Sequence, residues 1–236
     1  MEPLTKQRRR LSDRAKRLYR FLFRNPPRYR ITHRAQTERH GTDYGGWNIL
    51  SGTLDPQSIV YSLGVGQDIS FDVSIIECYG CKVYAFDPTP SVAVWLQRQI
   101  LPANLIFQSV AVGVTDGFLD LFEPGTEGVS HHALPQGSSQ RIRVPSACIP
   151  TLMLRNGHDR IDLLKMDIEG FEYEVLRSML RTDIRPRQIV VEFHHFFKQL
   201  SNRDTEDAIH LLETSGYRLF DVSDSFCEYG FLYVGE

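Results

Sequence analysis

The 236-residue chain is long enough for one domain with a full core plus an arm, and its 42% hydrophobic and 24% charged residues are ordinary for a soluble globular protein. The net charge of −2 conceals an asymmetry: residues 1–40 carry 13 Lys+Arg against 3 Asp+Glu, and the remainder carries 14 against 26. No run is apolar enough to cross a bilayer, Lys and Arg interrupt the N-terminus where a secretory signal needs an apolar stretch, and four cysteines make no disulfide framework at this length; the reading is a reduced, cytoplasmic protein.

Residues 1–40 read as a basic helical arm and residues 41–236 as the domain. In the arm, Leu11, Ala15, Leu18 and Leu22 recur at helical spacing, with Arg14, Lys16, Arg17 and Arg20 on the other faces. Pro26 and Pro27 end that helix. The arm either packs one stripe on the domain or contacts an anionic surface, in which case the protein is membrane-peripheral. It lacks aromatic interleaving or a groove-reading motif, so no specific nucleic-acid recognition is expected. Gly41, Gly45, Gly46 and Gly52 mark an ordered loop leading into the domain.

From residue 58 short β-rich runs alternate with helical patterns. Ser58–Leu63 is a strand, and Phe71, Ile75, Cys78 and Tyr79 then repeat at helical spacing. Lys82–Phe86 is the next strand, and Val92, Leu96 and Ile100 mark a second helix. Leu105–Val112 is a third strand, followed by a Gly- and Ser-rich excursion over 113–140. Ile161–Met166 and Gln188–Phe193 are further strands around a helix at Glu172–Leu180. A last helix near Asp204–Thr214 stops at Gly216, and Tyr217–Val222 and Tyr229–Val234 close the chain. Alternation of this kind gives a doubly wound α/β domain with a mostly parallel sheet. The short final loop makes the last strand antiparallel. Cys78 and Cys81 have the spacing of half a zinc site, but Cys148 and Cys227 supply no second pair, so all four are read as buried thiols.

Ligands of such sheets bind beyond the carboxyl ends of the strands, where the strand order reverses. The first such end reads Ser62-Leu63-Gly64-Val65-Gly66-Gln67-Asp68, where two glycines let the backbone turn tightly against a ligand. Ile69 stands where a dinucleotide fingerprint wants Gly or Ala. The second strand ends at Asp87-Pro88, and Asp87, 23 residues after Gly64, is placed to accept hydrogen bonds from a ribose. The densest segment runs from Ile161 to Val175, where Lys165 sits in an apolar strand and three acids crowd its end and the following turn, Asp167 and Glu169 lying at the ligand edge of the sheet. Alternation puts Lys165 and Asp167 on one face, and a buried Lys needs a partner: Asp167, Glu169 or Glu192.

The run Asp162-Leu-Leu-Lys-Met-Asp-Ile-Glu-Gly170 resembles the signature of FkbM-type methyltransferases. Val60-Tyr-Ser-Leu-Gly-Val-Gly66, Ala85-Phe-Asp-Pro88 and Val191-Glu-Phe-His194 resemble that family's other blocks in order and spacing, over about residues 41–234. The resemblance implies a Rossmann-like, class I methyltransferase fold of seven strands, S-adenosylmethionine (SAM) as cofactor, and O-methylation of a small hydroxylated metabolite or sugar. Carried over, Ser62, Gly64, Val65, Gly66, Asp68, Asp87, Pro88 and Asp167 form the cofactor set, with Asp167 near the methionine part or the acceptor. The family usually has an acid where Ser62 stands and a glycine where Asp68 stands. Asp68 either holds the methionine ammonium or caps the next helix.

Methyl transfer to a hydroxyl benefits from a base, and the expected catalytic residues are His194, Asp167 and Glu169, with His131 and His132 on the excursion as outsiders. His194 is favoured for its ordinary ionisation near neutrality. Asp167, Glu192 and His194 offer metal donors, but hard-metal cages normally need more carboxylates, so no divalent metal is expected. Two other readings compete: a non-catalytic SAM- or nucleotide-binding scaffold, and a nicotinamide-dependent dehydrogenase, which Ile69 and the terminal hairpin oppose.

Overall fold

The computed structural model describes residues 26–122 and 141–235. The predicted helix at 11–22 lies outside them. Residues 28–33 run along the body: the Arg28 N–H donates to Glu206, the Thr32 and His33 N–H groups donate to the Leu219 carbonyl, and Tyr29 stands edge-on to Tyr229. Strand β1 (Thr37–His40) pairs antiparallel with β2 (Trp47–Leu50), and Trp47, Ile49 and Leu50 are buried. The segment read as a loop over 41–52 therefore contains one arm of a hairpin. Its four-residue strands are too short to show a period of two among the glycines.

The main sheet takes its strands in the order β11, β12, β10, β9, β3, β4, β5. These are β3 (Ile59–Leu63), β4 (Lys82–Phe86), β5 (Leu105–Gln108), β9 (Leu163–Met166), β10 (Gln188–Glu192), β11 (Tyr217–Val222) and β12 (Glu228–Tyr233). All neighbours pair parallel except β12, which runs antiparallel to both β10 and β11. This is the seven-stranded, doubly wound outline the sequence predicts. The chain winds outward from β3 to β5, then returns to β9 on the other side of β3, so the order reverses between β3 and β9.

Period-two alternation divides the core into two layers. Tyr61, Leu63, Leu164 and Met166 face α3 (Ile149–Asn156), α4 (Glu172–Leu180) and α5 (Asn202–Thr214), through Leu152, Leu176 and Leu212. Val60, Leu163, Val83 and Val190 face α1 (Ser70–Tyr79) and α2 (Pro90–Leu96), through Phe71, Ile75, Val92 and Leu96. Each such side chain contributes about 1.5–3 kcal/mol of burial. Local signals agree at α5, where Ser201 and Asp204 form a capping box. Among the described residues no helix is long and apolar enough to cross a membrane.

Three expectations are corrected. Leu105–Val112 is not one strand: the chain breaks at Ser109-Val110, and β6 (Ala111–Val112) pairs with β8 (Arg141–Ala147), itself paired with β7 (Gly117–Phe122) in a separate sheet. The excursion is thus partly a hairpin. Helix α2 ends at Leu96 and leaves Ile100 fully exposed, because Leu101 precedes Pro102 and residues before proline avoid helical geometry. Of the thiols, Cys81 and Cys227 are buried, Cys148 is partly so, and Cys78 is exposed on α1.

Candidate active site

The reversal point brings the end of β3 against the end of β9. The Asp167 N–H donates to the Leu63 carbonyl at 2.9 Å, and the Gly64 N–H donates to the Phe86 carbonyl at 2.9 Å. Gly64 has φ 75°, and a Cβ built on it would sit 1.6 Å from the Asp167 carbonyl oxygen, so only glycine fits. Gly66 also has positive φ, 59°, but a Cβ there would meet nothing within 4 Å: its face opens onto free space.

Asp87 and Lys165 grip this turn from opposite sides. Oδ2 of Asp87 accepts the Val65 and Gly66 N–H groups at 3.1 and 2.9 Å, and Oδ1 accepts the Thr89 N–H at 2.8 Å. Asp87 is 5% exposed, and three of its acceptor positions are filled by backbone. Lys165 donates to the carbonyls of Leu63 (3.4 Å) and Gly64, lies 5.5 Å from the Trp47 ring centre and stands 3.8 Å from Asp167. Among the partners expected for it, the geometry thus supplies Asp167. Ser62 is buried within β3, Val65 is buried in the turn, and the half-buried Pro88 follows Asp87 in the chain. Asp68 accepts the Ser70 N–H (2.8 Å) and the Thr42 hydroxyl (3.0 Å), so it closes the turn that leads into α1 and ties it to Thr42. Enclosure would raise its pKa, but those hydrogen bonds and the Lys165 charge hold it below the usual range.

Beyond β9, the backbone turns through Glu169 at φ 56° and Gly170 at φ 98°. A non-glycine residue there carries strain of about 1 kcal/mol or more. Glu172, wholly buried at the start of α4, holds the turn: its carboxylate accepts the Ile168 N–H at 2.9 Å and the Gly170 N–H at 3.1–3.2 Å. The same carboxylate faces His194, with Oε1 2.9 Å from Nδ1. That nitrogen has no aligned hydrogen bond, so the contact is an ion pair rather than a linear bond. Nε2 of His194 points the other way, 3.5 Å from Glu169 and 3.8 Å from Asp167. The three residues expected to be catalytic are therefore together.

Their ionisation differs from the expectation of a neutral imidazole. Burial alone would lower the His194 pKa, but the facing Glu172 carboxylate, with Asp167 and Glu192, pushes it up to about 10. Enclosure, with Glu169 and Glu172 nearby, lifts Asp167 to about 6 against the pull of Lys165 and His194. Its side chain keeps 30% of its surface open, so water entering the cleft moderates that rise. Burial and Asp167 take Glu192 to about 8. The ring is thus favoured as the cation, while Asp167 and Glu192 are both drawn toward the neutral acid. Phe196, 59% exposed and 5.5 Å from the His194 ring, adds an apolar wall.

Asp167, Glu172 and His194 also place one donor atom each within 4.8 Å of one another, the spacing of a metal site. Both Glu172 oxygens already accept backbone N–H groups, which disfavours a cation at that carboxylate. Sequence reasoning placed Glu172 only at a helix start; an acid three residues after another acid, straight after a buried strand, was the available signal. His131 and His132 lie outside the described residues.

A family model, the methyltransferase FkbM domain, matches residues 59–219, from β3 to β11. The chain belongs to the FkbM methyltransferase family. The matched stretch holds the glycine turn, Asp87, the Lys165–Gly170 block and His194, so the FkbM domain of this chain is the β3–β11 unit. The chain is 25% identical over 185 residues to probable methyltransferase-like protein 24 of Homo sapiens, covering 74% of this chain and 45% of that protein. The Rattus norvegicus counterpart is 26% identical, covering 70% and 42%. The chain thus spans less than half the length of these relatives. Among solved structures, fibrillarin pre-rRNA processing protein of Methanococcus jannaschii is similar at a TM-score of 0.49 and 12% identity, covering 77% of this chain and 69% of that one.

Proposed function

We propose that the chain is a SAM-dependent methyltransferase that methylates a hydroxyl of a small metabolite or sugar. The observation that carries this reading is the junction at the strand reversal: an open-faced glycine turn, clamped on both sides, lies against an Asp167 carboxylate poised at about 6. Bound SAM would supply a methyl group made electrophilic by its sulfonium. The free face of Gly66 suits close approach of such a ligand. Asp87 Oδ1, with one backbone donor, keeps a lone pair for a ribose hydroxyl.

Asp167 is the base best matched to neutral pH, since general-base catalysis favours a pKa near the working pH. With SAM bound it would take the proton of the acceptor hydroxyl, leaving that oxygen an electron pair for the methyl group that the sulfonium releases. His194, held cationic, keeps the ionised form of Asp167 accessible, and Glu169 anchors Nε2 from the solvent side. Phe196 forms one wall for the acceptor. The +10 charge of residues 1–40 supports contact with an anionic surface, apart from the chemistry. Side-by-side calorimetric titrations with SAM and NAD test the cofactor, and a methyl-labelled SAM assay over hydroxylated acceptors tests the transfer. Heat with NAD alone would refute the reading; SAM binding with no transfer to any acceptor would make the chain a binding scaffold.

A further inference from the structure

The hairpin of β1 and β2 lies before the matched domain, which starts at residue 59, yet it touches the glycine turn at both ends. At the entry, Trp47 opens β2 with its ring centre 5.5 Å from the Lys165 ammonium, the group that holds the Leu63 and Gly64 carbonyls. At the exit, Thr42 holds two residues. Its hydroxyl donates to Asp68 Oδ2 at 3.0 Å, and its N–H donates to Ser70 Oγ at 2.9 Å. The same hydroxyl accepts the Gly45 N–H at 3.0 Å, which folds the hairpin loop back onto Asp68. The approach is close enough to require glycine: a Cβ on Gly45 would stand 2.5 Å from Asp68 Oδ2.

Lys165 and Asp87 fix the turn from Leu63 to Gly66, and Gln67 beyond it is exposed. Past that point Asp68 Oδ1 closes locally on the Ser70 N–H, while Oδ2 carries the tie to Thr42, 26 residues back in the chain. We propose that Thr42 is a positioning residue for SAM: acting through Asp68, it fixes the exit of the glycine turn and makes the β1–β2 hairpin part of the cofactor site. A ligand lying on the free face of Gly66 then meets a turn whose shape is set before it arrives, so less ordering opposes its binding. Thr42 is itself exposed, and replacing it leaves both core layers intact. The inference rests on the SAM reading and adds to it a residue outside the family domain.

The test is calorimetric SAM binding by the full chain, with a thermal melt of each variant. Thr42→Val keeps the shape and removes the hydroxyl, and SAM affinity should fall by about fivefold or more, since a hydrogen bond to a carboxylate is of the stronger kind. Thr42→Ser returns the hydroxyl and should bring affinity back to within about twofold of the unmodified chain. In an Asp68→Ala background, Thr42→Val should cost less than about twofold further, because the two residues act as one unit. Tyr79→Phe is the control for mere anchoring of the hairpin: the Tyr79 hydroxyl donates to Glu38 and holds β1 at the far end of α1, so its loss should lower the melting temperature and leave SAM affinity unchanged. Unchanged SAM affinity in Thr42→Val overturns the proposal, as does a Thr42→Ser variant that binds no better than Thr42→Val. An equal loss of affinity in Tyr79→Phe overturns it too, since the hairpin would then be a general prop. Absence of SAM binding in the unmodified chain is a different result, which sinks the cofactor reading and this inference together.

Discussion

The charge of His194 is the sharpest quantity the site offers. At an effective dielectric of about 20, two unit charges 2.9 Å apart attract by roughly 5–6 kcal/mol, which outweighs an ordinary burial penalty and suffices to carry an imidazole from 6.5 to about 10. Glu172→Gln keeps an acceptor for the 168–170 turn but removes the charge. The His194 midpoint should then fall by about two to four pH units, toward or below neutrality. Heteronuclear NMR of the imidazole nitrogens, followed from pH 5 to 11, reads both midpoints directly. The folded ring binds its proton more tightly than the unfolded one. Its stabilisation is therefore whole below about 6.5 and disappears as pH rises through about 10. The melting temperature should decline across that window, and the decline should be smaller in Glu172→Gln. A His194 midpoint at or below 7 in the unmodified chain would refute the reasoning and return the imidazole to the role of base.

Other outcomes follow from the same geometry. Gly64→Ala should destabilise by more than about 3 kcal/mol or prevent folding, whereas Gly66→Ala, with free space around it, should cost about 1 kcal/mol from its positive φ; chemical denaturation separates the two. Asp87→Ala strips three backbone N–H groups of their acceptor and should weaken SAM by ~1.5–3 kcal/mol in calorimetry. The rate of methyl transfer should rise with pH through a midpoint near 6, and Asp167→Asn should abolish that limb along with most of the turnover. Deleting residues 1–25 should leave SAM affinity intact while reducing sedimentation with anionic vesicles; lost SAM affinity in a folded truncation would assign the arm to the site instead.

The legible parts of this molecule are those whose cause is local. Strand and helix periods gave the seven-stranded sheet, since each β-run and its following helix carry their own pattern, and the Gly64 turn was readable because no side chain survives beside the Asp167 carbonyl. What was illegible depends on pairing at a distance. Nothing in Leu105–Val112 announces that the chain leaves one sheet for another at Ser109, because both halves are equally apolar and the choice is made by β8, some 30 residues on. The charge of His194 is the same kind of fact. Its ordinary pKa pointed to a base, and only the arrival of Glu172 from the start of α4, fixed by two backbone N–H groups, turns it into a cation. Glu172 was visible as a helix-start acid, a role that alone predicts nothing about His194. The fold joins the two: β10 lies beside β9, so the residue just past one strand end meets the turn just past the other. A base assignment from sequence is therefore only as good as the count of carboxylates that topology delivers to it. Here that count favours Asp167, lifted to about 6 by its enclosure and the neighbouring carboxylates.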